Sequence, residues 1–241
     1  DEDRYFTAGT DIGLCKVEIG GETVKLGLEI CEDLWDVDYD RRVSSELQSS
    51  GADLIINISA SPYHELRLKE RLDLVRNKVQ ETNIPFYYCN LVGAQDELIF
   101  DGQSIAMNGD GSLVGLGTIF QEEIIYIDTE DDSTVEIHQK SREAELYDAL
   151  VLGVKDYFRK TGHNEAVIGL SGGIDSSLVS CIAVDALGAE NVHGVSMPSV
   201  FSSEHSKNDS QTLAENLGID YRSIAIHDVV DHFEETLAPH F

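Results

Sequence analysis

With 241 residues, 41% of them hydrophobic, the chain can fill one large domain or two small ones with a packed core. Its 17 basic against 45 acidic residues give a formal net charge of -28, a surface that repels nucleic acid and anionic lipid. No apolar run is long enough to span a bilayer, so neither nucleic acid nor membrane is an expected partner.

In chain order, Val24-Lys25-Leu26-Gly27-Leu28-Glu29-Ile30 predicts a strand running straight into Cys31. Arg41 to Ser50 predicts a helix, and the β-branched run Leu54-Ile55-Ile56-Asn57-Ile58-Ser59 a buried strand. His64 to Thr82 reads as a long amphipathic helix with Leu66, Leu68, Leu72, Val75 and Val79 on its apolar side. Pro85 to Asn90 is a further strand. Phe100 to Met107 and Leu113 to Gly117 flank the turn signal Asn108-Gly109-Asp110-Gly111. The acidic stretch Asp128 to Ser133 is the best linker candidate. A helix from Ser141 to Thr161 follows. Strand, loop and helix then alternate over Ala166–Leu170, Ser171–Asp175, Ser176–Leu187, Val192–Met197, Ser203–Leu217 and Tyr221–Ile226. That alternation predicts a doubly wound parallel sheet with helices on both faces. The expected division is 1–130, a linker over 131–140, and 141–241.

The four cysteines, Cys15, Cys31, Cys89 and Cys181, are widely spaced with no CxxC pair, which argues for free thiols in a reducing cytoplasm rather than a zinc site. Neither terminus reads like a natural one, and the chain is expected to be a piece of a longer protein.

Chemistry concentrates in two places. The strand Ala166-Val167-Ile168-Gly169-Leu170 delivers the chain to Ser171-Gly172-Gly173-Ile174-Asp175-Ser176-Ser177, and a helix begins at once. Two glycines let the backbone approach an anion, the N–H groups of the new helix point at it, and three hydroxyls add donors. Asp175 would repel phosphate unless Mg²⁺ bridges the two, which makes it the candidate metal ligand. No lysine follows the glycines, so this is not the loop of γ-phosphate transferases. The alternative is a Gly-Gly turn with Ser or Asp capping the helix.

The second place is Cys31, which follows a strand directly in Glu29-Ile30-Cys31-Glu32-Asp33-Leu34-Trp35. A sharp strand-end turn exposes a nucleophile and gathers backbone N–H groups around it. A lone cysteine can equally be an inert buried thiol.

The loop resembles the signature of the N-type ATP pyrophosphatases, which cleave ATP between its α- and β-phosphates and transfer AMP to an acceptor. That resemblance implies ATP binding by Gly169, Leu170, Ser171, Gly172, Gly173, Ile174, Asp175, Ser176 and Ser177, with the strand end at Met197 bordering the adenine. It also implies that the polar loop Val200 to Asp209 covers the triphosphate, though Ser202 or Ser203 could simply cap the following helix.

Gly27 to Trp35, Gly51 to Pro62 and Asn90 to Ser104 closely resemble the nitrilase-type amidases, in which a Glu–Lys–Cys triad hydrolyses an amide through a thioester. Cys31 aligns with the nucleophile. The triad's Glu and Lys lie upstream of the cysteine motif in that family, and neither Lys16 nor Lys25 matches the lysine motif.

The two halves together resemble the glutamine-dependent NAD⁺ synthetase family. The resemblance implies a partial nitrilase-like α-β-β-α sandwich followed by the start of an adenine nucleotide α-hydrolase-like sheet. It implies glutamine binding by Ser61 and Arg67, although Ser61 could instead cap a helix and Arg67 could be a solvated charge; Glu32 could orient the substrate amine. It further implies glutamine, ATP and deamido-NAD as substrates, Mg²⁺ as cofactor, a cytoplasmic enzyme, and a homo-oligomeric parent protein. Another ATP-dependent amidotransferase, a stand-alone amidase, or a fragment inactive by itself are the alternatives.

Overall fold

The computed structural model describes residues 4–7, 9, 11–129, 133–138 and 140–241. The chain divides into two compact units, residues 1–142 and 143–241.

In the first unit, β1 (Leu14–Ile19) and β2 (Glu22–Ile30) form an antiparallel hairpin. β3 (Leu54–Ser59) and β4 (Phe86–Asn90) add to β2 in parallel. β5 (Val92–Gln95) and β6 (Leu98–Asp101) make a two-stranded sheet of their own. β7 (Ile105–Met107) and β8 (Leu113–Leu116) return antiparallel to β4, completing the order β1-β2-β3-β4-β7-β8.

Period-two alternation decides which face is covered. Gly27 and Glu29 on β2, Ile55, Asn57 and Ser59 on β3, and Phe86, Tyr88 and Asn90 on β4 are all buried. Above them lie α1 (Val43–Ser49) and α2 (Arg67–Thr82). Gly27 marks the close approach of α1, since a Cβ there would sit 3.2 Å from Ala52 Cβ and from Leu47 Cδ1. Leu34, Leu72, Val75, Val79, Phe86 and Met107 fill the space between helices and sheet.

The alternate residues point the other way. Leu28, Ile30, Ile58 and Cys89 are exposed, and the register sets Ile30 beside Ile58 and Ile58 beside Cys89. A sheet covered by helices on one face and apolar on the other is an α-β half of the expected sandwich.

Several boundaries differ from those the sequence predicts. β1 was not anticipated, although Gly20 and Gly21, at φ 62° and 89°, supply its hairpin turn. The expected strand Phe100–Met107 is broken, because Gly102 and Gln103 take φ values of 68° and 52° and turn the chain from β6 into β7. α2 begins at Arg67 rather than His64, since Leu66 has φ 68°; Leu66 is exposed and no part of the core face. Of the expected linker 131–140, residues 131, 132 and 139 lie outside the described residues. Within the rest, the Val135 N–H donates to the Leu113 carbonyl at 2.9 Å, so this stretch lies along β8.

In the second unit α3 (Arg142–Thr161) precedes β9 (Ala166–Gly169), α4 (Ile174–Leu187), β10 (Val192–Ser196), α5 (Glu204–Leu217), β11 (Asp220–Ser223) and α6 (His227–Leu237). The three strands are parallel in the order β11-β10-β9, with no reversal of strand order among them. α4 packs on β9 and β10, and α5 on β10 and β11. Leu170, Ala183, Val192, Ala214 and Ile219 form the core. The predicted loop 171–175 is shorter than expected, because Ile174 and Asp175 already belong to the first turn of α4. Among the described residues no helix is long and apolar enough to cross a membrane.

Candidate functional site

Parallel pairing of β2, β3 and β4 brings their C-terminal ends to one edge of the sheet. Cys31 leaves β2 at that edge, Ser61 follows β3, and Asn90 ends β4. Cys31 opens the 3-10 turn Cys31–Leu34 with φ 45°, a left-handed conformation that a side chain rarely adopts. The turn is fastened on both sides. Asp33 Oδ2 accepts the Ile30 N–H at 2.9 Å, and the Trp35 N–H donates to the Glu32 carbonyl at 2.8 Å. Glu32 Oε1 accepts the Tyr39 hydroxyl at 2.9 Å. Beneath the strand, burial pushes the Glu29 carboxyl above its ordinary value, while hydrogen bonds from Ser44 and Asn57 oppose the shift.

Ser61 and Arg67 are brought together. Arg67 donates to Ser61 Oγ from Nε at 3.2 Å and from Nη2 at 3.0 Å, and its Nη1 donates to Glu70 at 3.0 Å. The Arg67 guanidinium lies 4.4 Å above the Trp35 ring, which ties this pair to the segment that carries Cys31. Arg67 is thus neither a freely solvated charge nor distant from the cysteine turn. Arg71, one helical turn further on, is fully buried. It grips Asp101 with two bonds of 2.7 and 2.8 Å and donates to the Ser61 carbonyl at 2.8 Å. Asn90 Oδ1 accepts the Ser61 N–H at 2.9 Å.

At the second place, Gly173 is the N-cap of α4, and no side chain caps that helix. The loop's hydroxyls are tied to one another. Ser171 Oγ accepts the Gly173 N–H at 3.2 Å and meets Ser176 Oγ at 3.1 Å, while Ser176 and Ser177 donate to the Gly173 carbonyl at 3.1 and 2.9 Å. Gly172 has φ 78°, and a Cβ on it would run into the Ser206 backbone. The loop therefore lies against the first turn of α5, where Ser203 is the cap, accepting the Ser206 N–H at 3.1 Å. Met197, just past β10, reaches Gly169: a Cβ there would be 3.5 Å from Met197 Cε. Leu170 is buried below, and Ile174 and Asp175 face outward from the first turn of α4. An uncapped helix start beside two glycines can take a phosphate.

Sequence reasoning passed over Arg71, Lys78 and Asp101. Arg71, Val75, Lys78 and Thr82 follow one another at helical spacing and are all buried, so two cations occupy the inner stripe of α2. A cation at an apolar-stripe position was the available signal. Among the described residues, no three His, Cys, Asp or Glu side chains are grouped to hold a metal by themselves. Asp175 offers a single carboxylate, which is what Mg²⁺ takes when phosphates supply its other oxygens.

The family model for carbon-nitrogen hydrolases matches residues 1–139, and that for NAD synthase matches residues 146–240. The glutamine-dependent NAD(+) synthetase of Thermotoga maritima is 41% identical over 98% of this chain and 46% of its own length. That of Synechocystis is 41% identical over 100% of this chain and 45% of its own. The solved structure of glutamine-dependent NAD+ synthetase from Acinetobacter baumannii in complex with adenosine diphosphate superposes with a TM-score of 0.87 at 34% identity. It covers 100% of this chain and 45% of that one. This chain thus spans less than half the length of the relatives it matches. The glycine loop falls within the segment that the NAD synthase model matches; the cysteine turn falls within the larger matched segment, and the chain belongs to the carbon-nitrogen hydrolase family.

Proposed function

We propose that this chain is part of a glutamine-hydrolysing NAD⁺ synthetase, with the amidase assigned to the first unit and the ATP-splitting site to the second. The observation that carries this reading is the pairing on one chain of two sites: a cysteine in a left-handed turn at a sheet edge, and an uncapped Gly-Gly helix start. Relatives bearing that name match both units, which supports it.

In the amidase step, Cys31 Sγ attacks the side-chain amide carbon of glutamine, and ammonia leaves as the thioester forms. Water then breaks the thioester to glutamate and restores the thiol. Ser61 and Arg67 hold the substrate, and Glu32 orients its amine. In the synthetase step, residues 169–177 hold the ATP phosphates and Met197 borders the adenine. The carboxylate of deamido-NAD attacks the α-phosphorus of ATP and pyrophosphate leaves; ammonia then displaces AMP from the acyl-adenylate to give NAD⁺. Asp175 would hold Mg²⁺ against the phosphates, neutralising their charge. The parent protein is proposed to be cytoplasmic and homo-oligomeric. A stand-alone amidase would leave the Ser171–Ser177 loop without a purpose.

The test is made on the full-length protein. Cys31→Ala is expected to abolish ammonia release from glutamine while synthesis from free ammonium persists. Asp175→Asn is expected to abolish synthesis with either nitrogen source. Survival of glutamine-driven synthesis in Cys31→Ala would sink the assignment.

A further inference from the structure

Two of the first unit's buried charges, Lys78 and Asp36, pair where the chain leaves the cysteine turn. Lys78, on the inner stripe of α2, is 2% exposed, and its Nζ contacts Oδ1 of Asp36, itself 1% exposed. Arg42 Nη1 reaches the same oxygen at 3.1 Å and the Asp36 carbonyl at 2.7 Å, while its Nη2 donates to the Val37 carbonyl at 3.0 Å. Asp36 follows the turn by two residues, and Leu34, the last residue of the turn, is fully buried.

Stability alone does not account for such a pair. Desolvating two charges offsets their attraction, and apolar side chains of similar volume generally do as well or better. What an ion pair supplies is a fixed point, one nitrogen on α2 against one oxygen on the chain leaving the turn. The turn needs fixed points. Cys31 holds φ 45°, and a strained residue keeps its conformation only where its surroundings over-determine it. Upstream the restraint is the Ile30–Asp33 hydrogen bond of 2.9 Å. Downstream, the Trp35–Glu32 hydrogen bond of 2.8 Å closes the turn, and Asp36 anchors the chain just beyond it.

We propose that Asp36, Lys78 and Arg42 form a positioning cluster that holds the Cys31 turn in its left-handed conformation, acting on glutamine cleavage without touching substrate. This rests on Cys31 being the nucleophile, as proposed above.

The experiment compares Cys31→Ala, Arg42→Ala and the double variant Asp36→Leu/Lys78→Met in the full-length protein. The double variant removes both buried charges together; the partners it leaves, Arg42 and Glu81, are 45% and 47% exposed and stay solvated. Glutamine-driven and ammonium-driven NAD⁺ formation are measured, with the alkylation rate of Cys31 by iodoacetamide. The double variant is expected to lower glutamine-driven kcat about tenfold or more, with KM for glutamine changed by less than about threefold. Alkylation of Cys31 slows, and ammonium-driven synthesis is unchanged. Glutamine-driven kcat within about twofold of the unsubstituted protein would overturn the proposal. So would a parallel fall in ammonium-driven synthesis, which marks a general loss of structure.

If the double variant does not fold, Arg42→Ala decides. Its side chain is 45% exposed, so its removal leaves the core filled. The same split between nitrogen sources supports the cluster, and retention of both activities overturns it. Cys31→Ala separates the two levels. If that variant keeps glutamine-driven activity, the function proposed for Cys31 falls. If it loses that activity while the cluster variants keep theirs, only the positioning role falls.

Discussion

Arg71 shows how much one residue can carry. Its guanidinium is fully buried, and its bonds to Asp101 and to the Ser61 carbonyl join α2, β6 and the segment after β3. Arg71→Met would leave the Asp101 carboxylate buried without its cation, a change that costs about 3–5 kcal/mol. Denaturant midpoints of the full-length protein and the variant would measure it, and a loss under about 1 kcal/mol would mean that Asp101 finds another partner. Glu29 makes a prediction with a pH sign. Burial first, then the nearby Asp33 carboxylate, raise its pKa above 4.5, against the hydrogen bonds of Ser44 and Asn57 and the charge of Lys78. The native state therefore binds this proton more tightly than the unfolded chain. The resulting stability is fully present below the unfolded value of 4.5 and is lost as pH rises through the higher folded value. Glu29→Gln removes the titration. The stability of the unsubstituted protein relative to the variant should decline as pH rises above 4.5 and then level off; a pH-independent difference would refute it. Neither residue could be read from its neighbours in sequence. Arg71 and Lys78 look like the charged positions of any amphipathic helix until the sheet is laid against the stripe they share with Val75.

Among elements, the start of α4 was the most legible, because its determinants are local. A β-branched strand, two glycines and a helix-forming run are read within a dozen residues. What the sequence hid was contact between segments. Gly172 reads as a turn glycine, yet it is also where the loop meets the Ser206 backbone some thirty residues on. Gly172→Ala would therefore meet two obstacles, a left-handed φ of 78° and a backbone in the way. The conformational part alone costs about 1–2 kcal/mol. Displacement of the loop is expected to abolish ATP-dependent synthesis from ammonium while ammonia release from glutamine continues. Assaying the two half-reactions separately on the full-length protein checks this, and undiminished synthesis would rule out a close loop–helix contact in the working enzyme. The same limit explains the split of Phe100–Met107. Its composition suits one strand, but Gly102 is packed so closely that a Cβ would lie 2.6 Å from Val92 Cγ2, and the chain turns there. That neighbour belongs to β5, an element the pattern did not announce.

For the molecule as a whole, charge sets the terms. Seventeen basic residues cannot neutralise 45 acidic ones, and several of the bases are engaged in pairs such as Arg71–Asp101 and Lys78–Asp36. Most carboxylates therefore face water among like charges, and their repulsion is relieved when the chain expands. Two salt effects compete. Screening weakens the exposed pairs, among them Arg41–Glu46 and Lys69–Asp73, but such pairs contribute only about 0–1 kcal/mol each. Screening also weakens the repulsion of a net charge of -28, which acts across the whole surface. The second effect should win. The melting temperature of this chain is expected to rise as sodium chloride increases from about 10 mM to about 150 mM, over which the screening length falls from about 30 Å to about 8 Å. A melting temperature that falls over that range would mean that the ion pairs, not the acidic excess, govern stability. The open sheet face adds a second consequence of the same screening. Leu28, Ile30 and Ile58 expose an apolar strip that like charges otherwise keep apart from its copies. Raising salt should then promote self-association of this chain, read by sedimentation. Ile30→Lys with Ile58→Lys should suppress that association while leaving the salt dependence of melting in place, because the first effect belongs to one face and the second to the whole surface.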